Sequence, residues 1–438
     1  MSESFHLKRI LLDAFAAVAI LVAGCFICYI ATLYTSGGAQ EGYLALTNAT
    51  VLEGEDLEPI NGAAVLIKDG TIIEVGEEGT IDIPPEAKVL DLTGYTLMPG
   101  LIDMHVHLGP QTYKANEVPG ILAMPKLVFD WLRFYPDTRH EFLENGVTTV
   151  RDLGNEHVWI MELRRQLRDG SLEGPRLFAA GPIFTTPGGH PVATFGVDPA
   201  SDSVRLPSTP EDARRAVREL ASGEDRADLI KVVQERGGPG RGLEPIAPEV
   251  LDAIVTEAHE QGLAVTAHWG TLEDLEDILA AGIDGLEHVE ARAVLDGWPD
   301  GVLDVLVERD IPITPTRAVT DAALPPQISS QIRLRVGELH DAGGWIVVGS
   351  DAPINGVPFG AGVHREIELL VDCGLTPQEA LRAATIEAAR ALRTDNIGAI
   401  EPGRAADLLV VDGDPLQDIK DAQNVVMVFR DGRMVVNR

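Results

Sequence analysis

The stretch LIDMHVHLG, residues 101–109, is an apolar run that ends in two histidines one residue apart. In an extended strand, residues two apart point the same way. His105 and His107 therefore share a face, and two imidazoles aimed at one point suggest a divalent metal. The pair is a weak signal by itself, because a strand end with two satisfied histidines would read the same. The fold turns on whether such strands, with polar residues at their ends, recur along the chain.

They recur at VTTVRDLG (147–154), PRLFAAG (175–181), DLIKVV (228–233), LAVTAHWG (263–270), DGLEHVE (284–290), IPITPT (311–316) and WIVVGSDAP (345–353). With the first stretch that makes eight. Helical segments lie between several of them. TPEDARRAVRELAS opens on a Ser208 or Thr209 cap with Pro210 in its first turn. APEVLDAIVTEAHEQG and TLEDLEDILAAG stop at Gly262 and Gly282, where a C-terminal cap is expected. Eight strands with helical crossovers imply a (β/α)8 TIM-like barrel. A doubly wound open sheet is the alternative. No glycine-rich phosphate loop follows the first strand, so nucleotide binding has little support.

Two β-rich pieces flank this middle. AAVLIKDGTIIEVG (63–76) and NVVMVFRDGRMVVN (424–437) each read as two short strands joined at an Asp-Gly turn. Chain ends often lie close together, so the two pieces are expected to meet as one small β-sandwich. The expected layout is an N-terminal segment over 1–40, sandwich over 41–98, barrel over 99–395 and sandwich again over 396–438.

Residues 10–33, ILLDAFAAVAILVAGCFICYIATL, form an almost wholly apolar run with Asp13 near its entry. It is long enough to cross a bilayer as a helix. Lys8 and Arg9 precede it and Glu41 follows, a bias that sends the rest of the chain across the membrane. The expectation is a retained anchor, or a signal peptide cut near Gly37-Gly38-Ala39. The protein would then be exported, and membrane-tethered if uncleaved. The net charge of -33 argues against nucleic acid as a partner. Three cysteines, Cys25, Cys28 and Cys373, make no disulfide framework.

Barrel chemistry sits where strands end. His105 and His107 end the first strand, Lys231 lies in the fourth, His268 ends the fifth, His288 the sixth and Asp351 the eighth. Any one of these has an ordinary structural reading. Together they call for a shared metal site, since neutral imidazoles and a carboxylate suit zinc or a similar divalent ion. Lysine is a poor ligand unless carbon dioxide converts its amine to a carbamate, a step that spacing does not show.

MPGLIDMHVHLG, the lysine in DLIKVV, the two later histidines, GSDAP and the tail GRAADLLVVDGDP together resemble the amidohydrolase superfamily of metal-dependent hydrolases. The resemblance spans residues from about 43 to 438 and is nearest the imidazolonepropionase-related group, which includes prolidase-like dipeptidases. It implies two divalent ions, zinc first, with manganese, cobalt or iron as alternatives. His105 and His107 would bind the buried metal, and His268 and His288 the second. Lys231 would be the carbamylated bridge, and Asp351 would touch the first metal and shuttle the proton. A metal-bridging hydroxide would then attack an amide carbonyl.

The implied substrate is a small peptide or N-acyl amino acid, of the Xaa-Pro kind. A cyclic amidase, lactonase or esterase on the same site is the alternative. A mononuclear deaminase is disfavoured by Lys231. A non-catalytic, membrane-tethered metal-binding protein is disfavoured by the full ligand set. His190, in the loop TTPGGHPVAT, is expected to donate to the substrate; the dipeptidase group commonly has a glycine where this chain has Pro191. Arg151 is expected to pair with Asp152 or approach the pocket. Arg317 is a candidate carboxylate clamp, and Trp269 a candidate pocket wall. Glu287 should alternate away from His288 into packing. A second copy of the chain as partner is left open.

Overall fold

The computed structural model describes residues 39–77, 79–108, 138–238 and 240–438. Seven barrel strands follow one another at Leu101–Val106, Val147–Asp152, Arg176–Ala179, Leu229–Gln234, Ala264–Trp269, Gly285–Glu287 and Ile313–Thr314. The first three pair in parallel, and so do the last four. The third and fourth are joined where Asp228 N donates to Ala179 O at 3.0 Å, and where Ile183–Phe184 pairs with Lys231 and Val232. The extended segment 345–350 closes the ring. Ile313 N donates to Trp345 O at 2.9 Å, and Met104 N to Val348 O at 2.9 Å.

Parallel strands covered on both faces read as continuous apolar runs. All six residues of Leu101–Val106, of Val147–Asp152 and of Leu229–Gln234 are buried. This burial places Asp103, His105, Arg151 and Lys231 inside the barrel, out of water. The crossover helices start where their caps dictate. Thr209 accepts from Asp212 N ahead of Pro210–Leu220, and Thr271 makes a full capping box ahead of Leu272–Ala281.

Strands from both ends of the chain form one accessory sheet of eight. In spatial order these are Arg433–Asn437, Val425–Arg430, Leu408–Val411, Thr96–Pro99, Tyr43–Glu53, Glu58–Lys68 and Thr71–Glu77, with Lys88–Asp91 beside Tyr43–Glu53. Both Asp-Gly turns carry two left-handed residues, φ 48° and 81° at Asp69-Gly70 and 47° and 71° at Asp431-Gly432. That is the conformation a two-residue hairpin needs. The far strand curls back, since Thr71 bridges Ala405 and Ile72 N donates to Arg404 O at 2.9 Å. Leu46, Val65, Leu97, Val410 and Phe429 fill the inside of the curl.

Two expectations are corrected. The accessory part is one continuous curled sheet, not a sandwich of two. Leu408–Val411 pairs with Thr96–Pro99 on one side and with Val425–Arg430 on the other, so the two end pieces join edge to edge. An apolar alternation shows which face is buried but not which strand is the neighbour. The N-terminal transmembrane or signal helix is likewise withdrawn. The run 10–33 lies outside the described residues, and among the described residues no helix is long and apolar enough to cross a membrane. The expectations of a membrane partner, of anchoring and of export rested on that helix and are withdrawn with it.

Sheet and barrel are locked by a buried charge cluster. Asp407 accepts from Arg430 Nη1 and from Arg176 Nη2, both at 3.2 Å, and from Asp431 N at 2.7 Å. Arg176 belongs to the third barrel strand and also binds Asp431 at 2.9 Å. Burial opposes the charge on Asp407, but Arg430 and Arg176 outweigh it and hold the carboxyl below its ordinary 3.8. Its stabilisation is therefore full above that pH and is lost as the pH falls through the folded value. Asp407→Ala leaves two guanidinium groups without their central partner and should cost about 3–5 kcal/mol. Urea unfolding should show a clearly lower midpoint, and an unchanged midpoint would contradict the locking role.

Candidate active site

The site forms at the carboxyl ends of the strands. Asp103 and His105 lie two apart on the first strand, and His107 follows just past its end. Asp103 lies deepest. Its carboxylate accepts from Ser350 N at 2.9 Å, Ser350 Oγ at 2.6 Å and His105 N at 3.2 Å. These bonds fasten the closing segment 345–350 to the first strand. Asp351 N also donates to His105 O at 2.8 Å. Asp351 then takes a left-handed backbone, φ 58°, at the strand end where the side chain meets the histidines. Its Oδ1 is 3.5 Å from both His105 Nε2 and His107 Nε2.

Further rings continue from this trio. His105 and His288 have centroids 4.9 Å apart, His288 and His268 4.9 Å, and His268 and His190 5.1 Å in a near-parallel stack. Lys231, 2% exposed, lies opposite Thr266 on the neighbouring strand, two residues before His268. Its charge acts on His105, His107, His288 and Asp351. His105, His107, His190, Lys231, His268, His288 and Asp351 thus lie in one neighbourhood.

Burial decides the protonation of this centre. It takes His105 down to about 4 and His190 to about 3, and it puts His107 and His288 well below 6.5. Neutral imidazoles expose a lone pair instead of a charge. Burial also lowers Lys231 to about 8 and raises Asp351 well above the usual carboxylate range. Two buried atoms here have no hydrogen-bond partner, Asp351 Oδ1 and His268 Nε2. Asp351 Oδ1 thus lies 3.5 Å from two ring nitrogens without a hydrogen bond to either. His105, His107 and Asp351 each offer a ligand atom, all within 4.8 Å of one another. That donor set fits a divalent cation such as zinc.

Glu287 orients the ligands. Its Oε2 accepts from His105 Nδ1 at 2.8 Å, while its Oε1 accepts from Arg151 Nη2 at 2.6 Å and from Thr266 Oγ1 at 2.5 Å. Burial opposes its charge, but Arg151 and His105 prevail and hold Glu287 far below the usual carboxylate range. With Nδ1 donating, His105 turns its free Nε2 toward Asp351. His288 is fixed in the same way. Thr316 Oγ1 spends its proton on Pro315 O at 2.9 Å, so His288 Nδ1 donates to Thr316 Oγ1 at 2.7 Å and Nε2 is left bare.

Several expectations change here. Glu287 was expected to point away into packing, yet it touches a proposed ligand. The alternation breaks because His288 has φ 71°, so neighbouring side chains both reach the centre. Arg151 pairs with Glu287 and not with Asp152, which instead accepts from Leu108 N at 2.7 Å and Asn155 Nδ2 at 2.9 Å. Arg317 is buried among helices and donates to Ser329 and Thr320, so it is not placed as a clamp. Trp269 is fully buried, donates to His288 O at 3.1 Å and stacks on Trp298. It braces the backbone of His288.

Glu287→Gln keeps the shape of the side chain but removes the charge facing His105 and Arg151. Metal affinity should fall about 10- to 100-fold, read by competition against a chromophoric chelator. Unaltered affinity would show that Glu287 does not orient a ligand.

Comparison with known proteins agrees with this geometry. The amidohydrolase family model matches residues 96–435. Ochratoxinase from Aspergillus niger is 29% identical over 444 residues, covering 90% of this chain and 87% of that protein. Imidazolonepropionase from Geobacillus kaustophilus is 27% identical, covering 87% of this chain and 92% of that protein. A crystal structure of a Xaa-Pro dipeptidase with methionine bound in its active site superposes with a TM-score of 0.74 at 26% identity, over 90% of this chain and 99% of that one. With its barrel, its accessory sheet and its buried His/His/Asp cluster, the chain belongs to the amidohydrolase family.

Proposed function

We propose that this amidohydrolase cleaves a linear amide C–N bond in a small peptide or N-acyl amino acid. The observation that carries the reading is the meeting of Asp351, His105 and His107, which each offer a ligand atom within 4.8 Å of the others. The names of two relatives, ochratoxinase and Xaa-Pro dipeptidase, support an amide or peptide substrate.

His105, His107 and Asp351 would hold one divalent ion, and His268 and His288 a second. Lys231 would lie between them as a carbamate. Burial favours the neutral amine of Lys231, the form that adds carbon dioxide and gives up a proton. Bound there, the metal supplies a Lewis acid for the scissile carbonyl and for the attacking water.

The chain's own groups supply the rest. Asp351 accepts a proton from water as its oxygen bonds to the carbonyl carbon. The same carboxyl delivers that proton to the nitrogen as the C–N bond breaks. Its raised affinity for a proton suits both halves of the cycle. His190 is held by Thr194 Oγ1, 2.6 Å from its Nδ1. Its Nε2 is then the group available to donate to the carbonyl oxygen.

The test is a substrate panel run with zinc or manganese and bicarbonate: dipeptides including Xaa-Pro, N-acyl amino acids, cyclic amides and lactones. Linear amides should be cleaved. Asp351→Asn should lower kcat about 10²- to 10⁴-fold, and Lys231→Ala should abolish the bicarbonate dependence. Turnover confined to lactones or cyclic amides would replace the linear-amide reading.

A further inference from the structure

Glu366 is a fully buried carboxyl group that the proposed chemistry does not use. It stands on the helix Ala361–Asp372 and is 0% exposed. Enclosing a glutamate to that degree is rare and calls for a partner. Oε2 accepts from the backbone N–H of Ala318 at 2.6 Å, and Oε1 has no hydrogen-bond partner among the described residues.

Ala318 is the second residue of another helix, Arg317–Ala323. The first N–H groups of a helix have no partner within it. The residue just before the helix ordinarily covers one of them with a side-chain oxygen, and threonine is a suitable type for the task. Thr316 occupies that place but makes no such bond. Its hydroxyl is engaged elsewhere, donating to Pro315 O at 2.9 Å and accepting from His288 Nδ1 at 2.7 Å. Glu366 therefore supplies, from a neighbouring helix, the cap that Thr316 does not make.

Thr316 needs such a hold. It is 0% exposed and has a left-handed backbone, φ 50° and ψ 47°. A β-branched residue adopts that conformation only where its surroundings impose it. The strand before it is two residues long, Ile313–Thr314. The first bond of the helix is long, with Thr320 N 3.4 Å from Thr316 O. The short contact of Ala318 N with Glu366 thus fixes the helical side of the turn that aims the Thr316 hydroxyl.

We infer that Glu366 is a positioning residue for His288. By capping Arg317–Ala323 it holds Thr316 in its left-handed turn, and Thr316 takes the Nδ1–H bond that leaves His288 Nε2 bare. The acceptor has to reach across from the next helix, which suits a long side chain ending in oxygen. The inference rests on the reading of His288 as a ligand of the second cation. The state of the imidazole, however, can be read without any cation.

The experiment compares Glu366→Gln, which keeps an acceptor oxygen, with Glu366→Met, which keeps the length and removes it. The tautomer of His288 is read on metal-free protein by long-range proton–nitrogen correlation spectra, with its signals assigned by their loss in His288→Gln. The proton should sit on Nδ1 in the unaltered protein and in Glu366→Gln, and should divide between the two nitrogens in Glu366→Met. Zinc affinity is read by competition against a chromophoric chelator. Glu366→Met should weaken about 10-fold the site that His288→Gln removes. The site of His105 and His107 should keep its affinity, which a general loosening of the fold would not allow. Thr316→Val should reproduce the loss, and Glu366→Met should add nothing to it. If Glu366→Met does not fold, Glu366→Asp takes its place, since it draws the oxygen back by one methylene. An unchanged tautomer in Glu366→Met, a loss that Glu366→Gln shares, or losses that add to those of Thr316→Val overturn the assignment. A shifted tautomer in a protein that binds no second cation would uphold it and count against the binuclear reading instead.

Discussion

The site depends on one buried ion pair, Arg151 with Glu287. Both side chains are enclosed by the barrel, and their 2.6 Å contact lies directly beneath the histidines. A buried pair contributes little net stability, since desolvation offsets most of the attraction. What it does here is set direction. Arg151 keeps Glu287 ionised, and Glu287 accepts a hydrogen bond from His105 Nδ1. The free lone pair of His105 is then aimed at the same point as Asp351. Arg151 is fixed in turn by the backbone of the first strand, donating to Met104 O at 2.6 Å.

Asp103 performs the matching task on the other side. Through Ser350 it holds the closing segment against the first strand, so that Asp351 stands opposite His105 and His107. Desolvation does the remainder. It keeps the imidazoles neutral, which suits a cation, and makes the Asp351 carboxyl a better base. From this deep end the rings of His288, His268 and His190 lead to the exposed Phe195.

Much of this was legible in the sequence. All eight barrel segments could be read from short apolar runs, because buried parallel strands carry no polar alternation to confuse them. Both Asp-Gly hairpins were legible for the opposite reason, as their turns demand residues that tolerate a positive φ. Polar residues at strand ends marked where His105, Lys231, His288 and Asp351 would gather. What escaped was whatever depends on a neighbour distant in sequence. Edge-to-edge joining of the two end pieces left no trace in alternation. Glu287 was misplaced because a regular strand would hide it, and the left-handed turn at His288 is a tertiary effect. Arg317 and Trp269 looked like pocket residues because their types suit ligands, but helices cover them.

The proposed function requires His105, His107, Asp351, His268 and His288 to hold a pair of divalent cations. Anomalous diffraction at the zinc edge, from crystals grown with zinc and bicarbonate, tests it most directly. Two peaks are expected, one among His105, His107 and Asp351 and one beside His268 and His288, with added density on Lys231 Nζ. A centre without an anomalous peak would contradict the metal site outright, and a lone peak with an unmodified Lys231 would contradict its binuclear form.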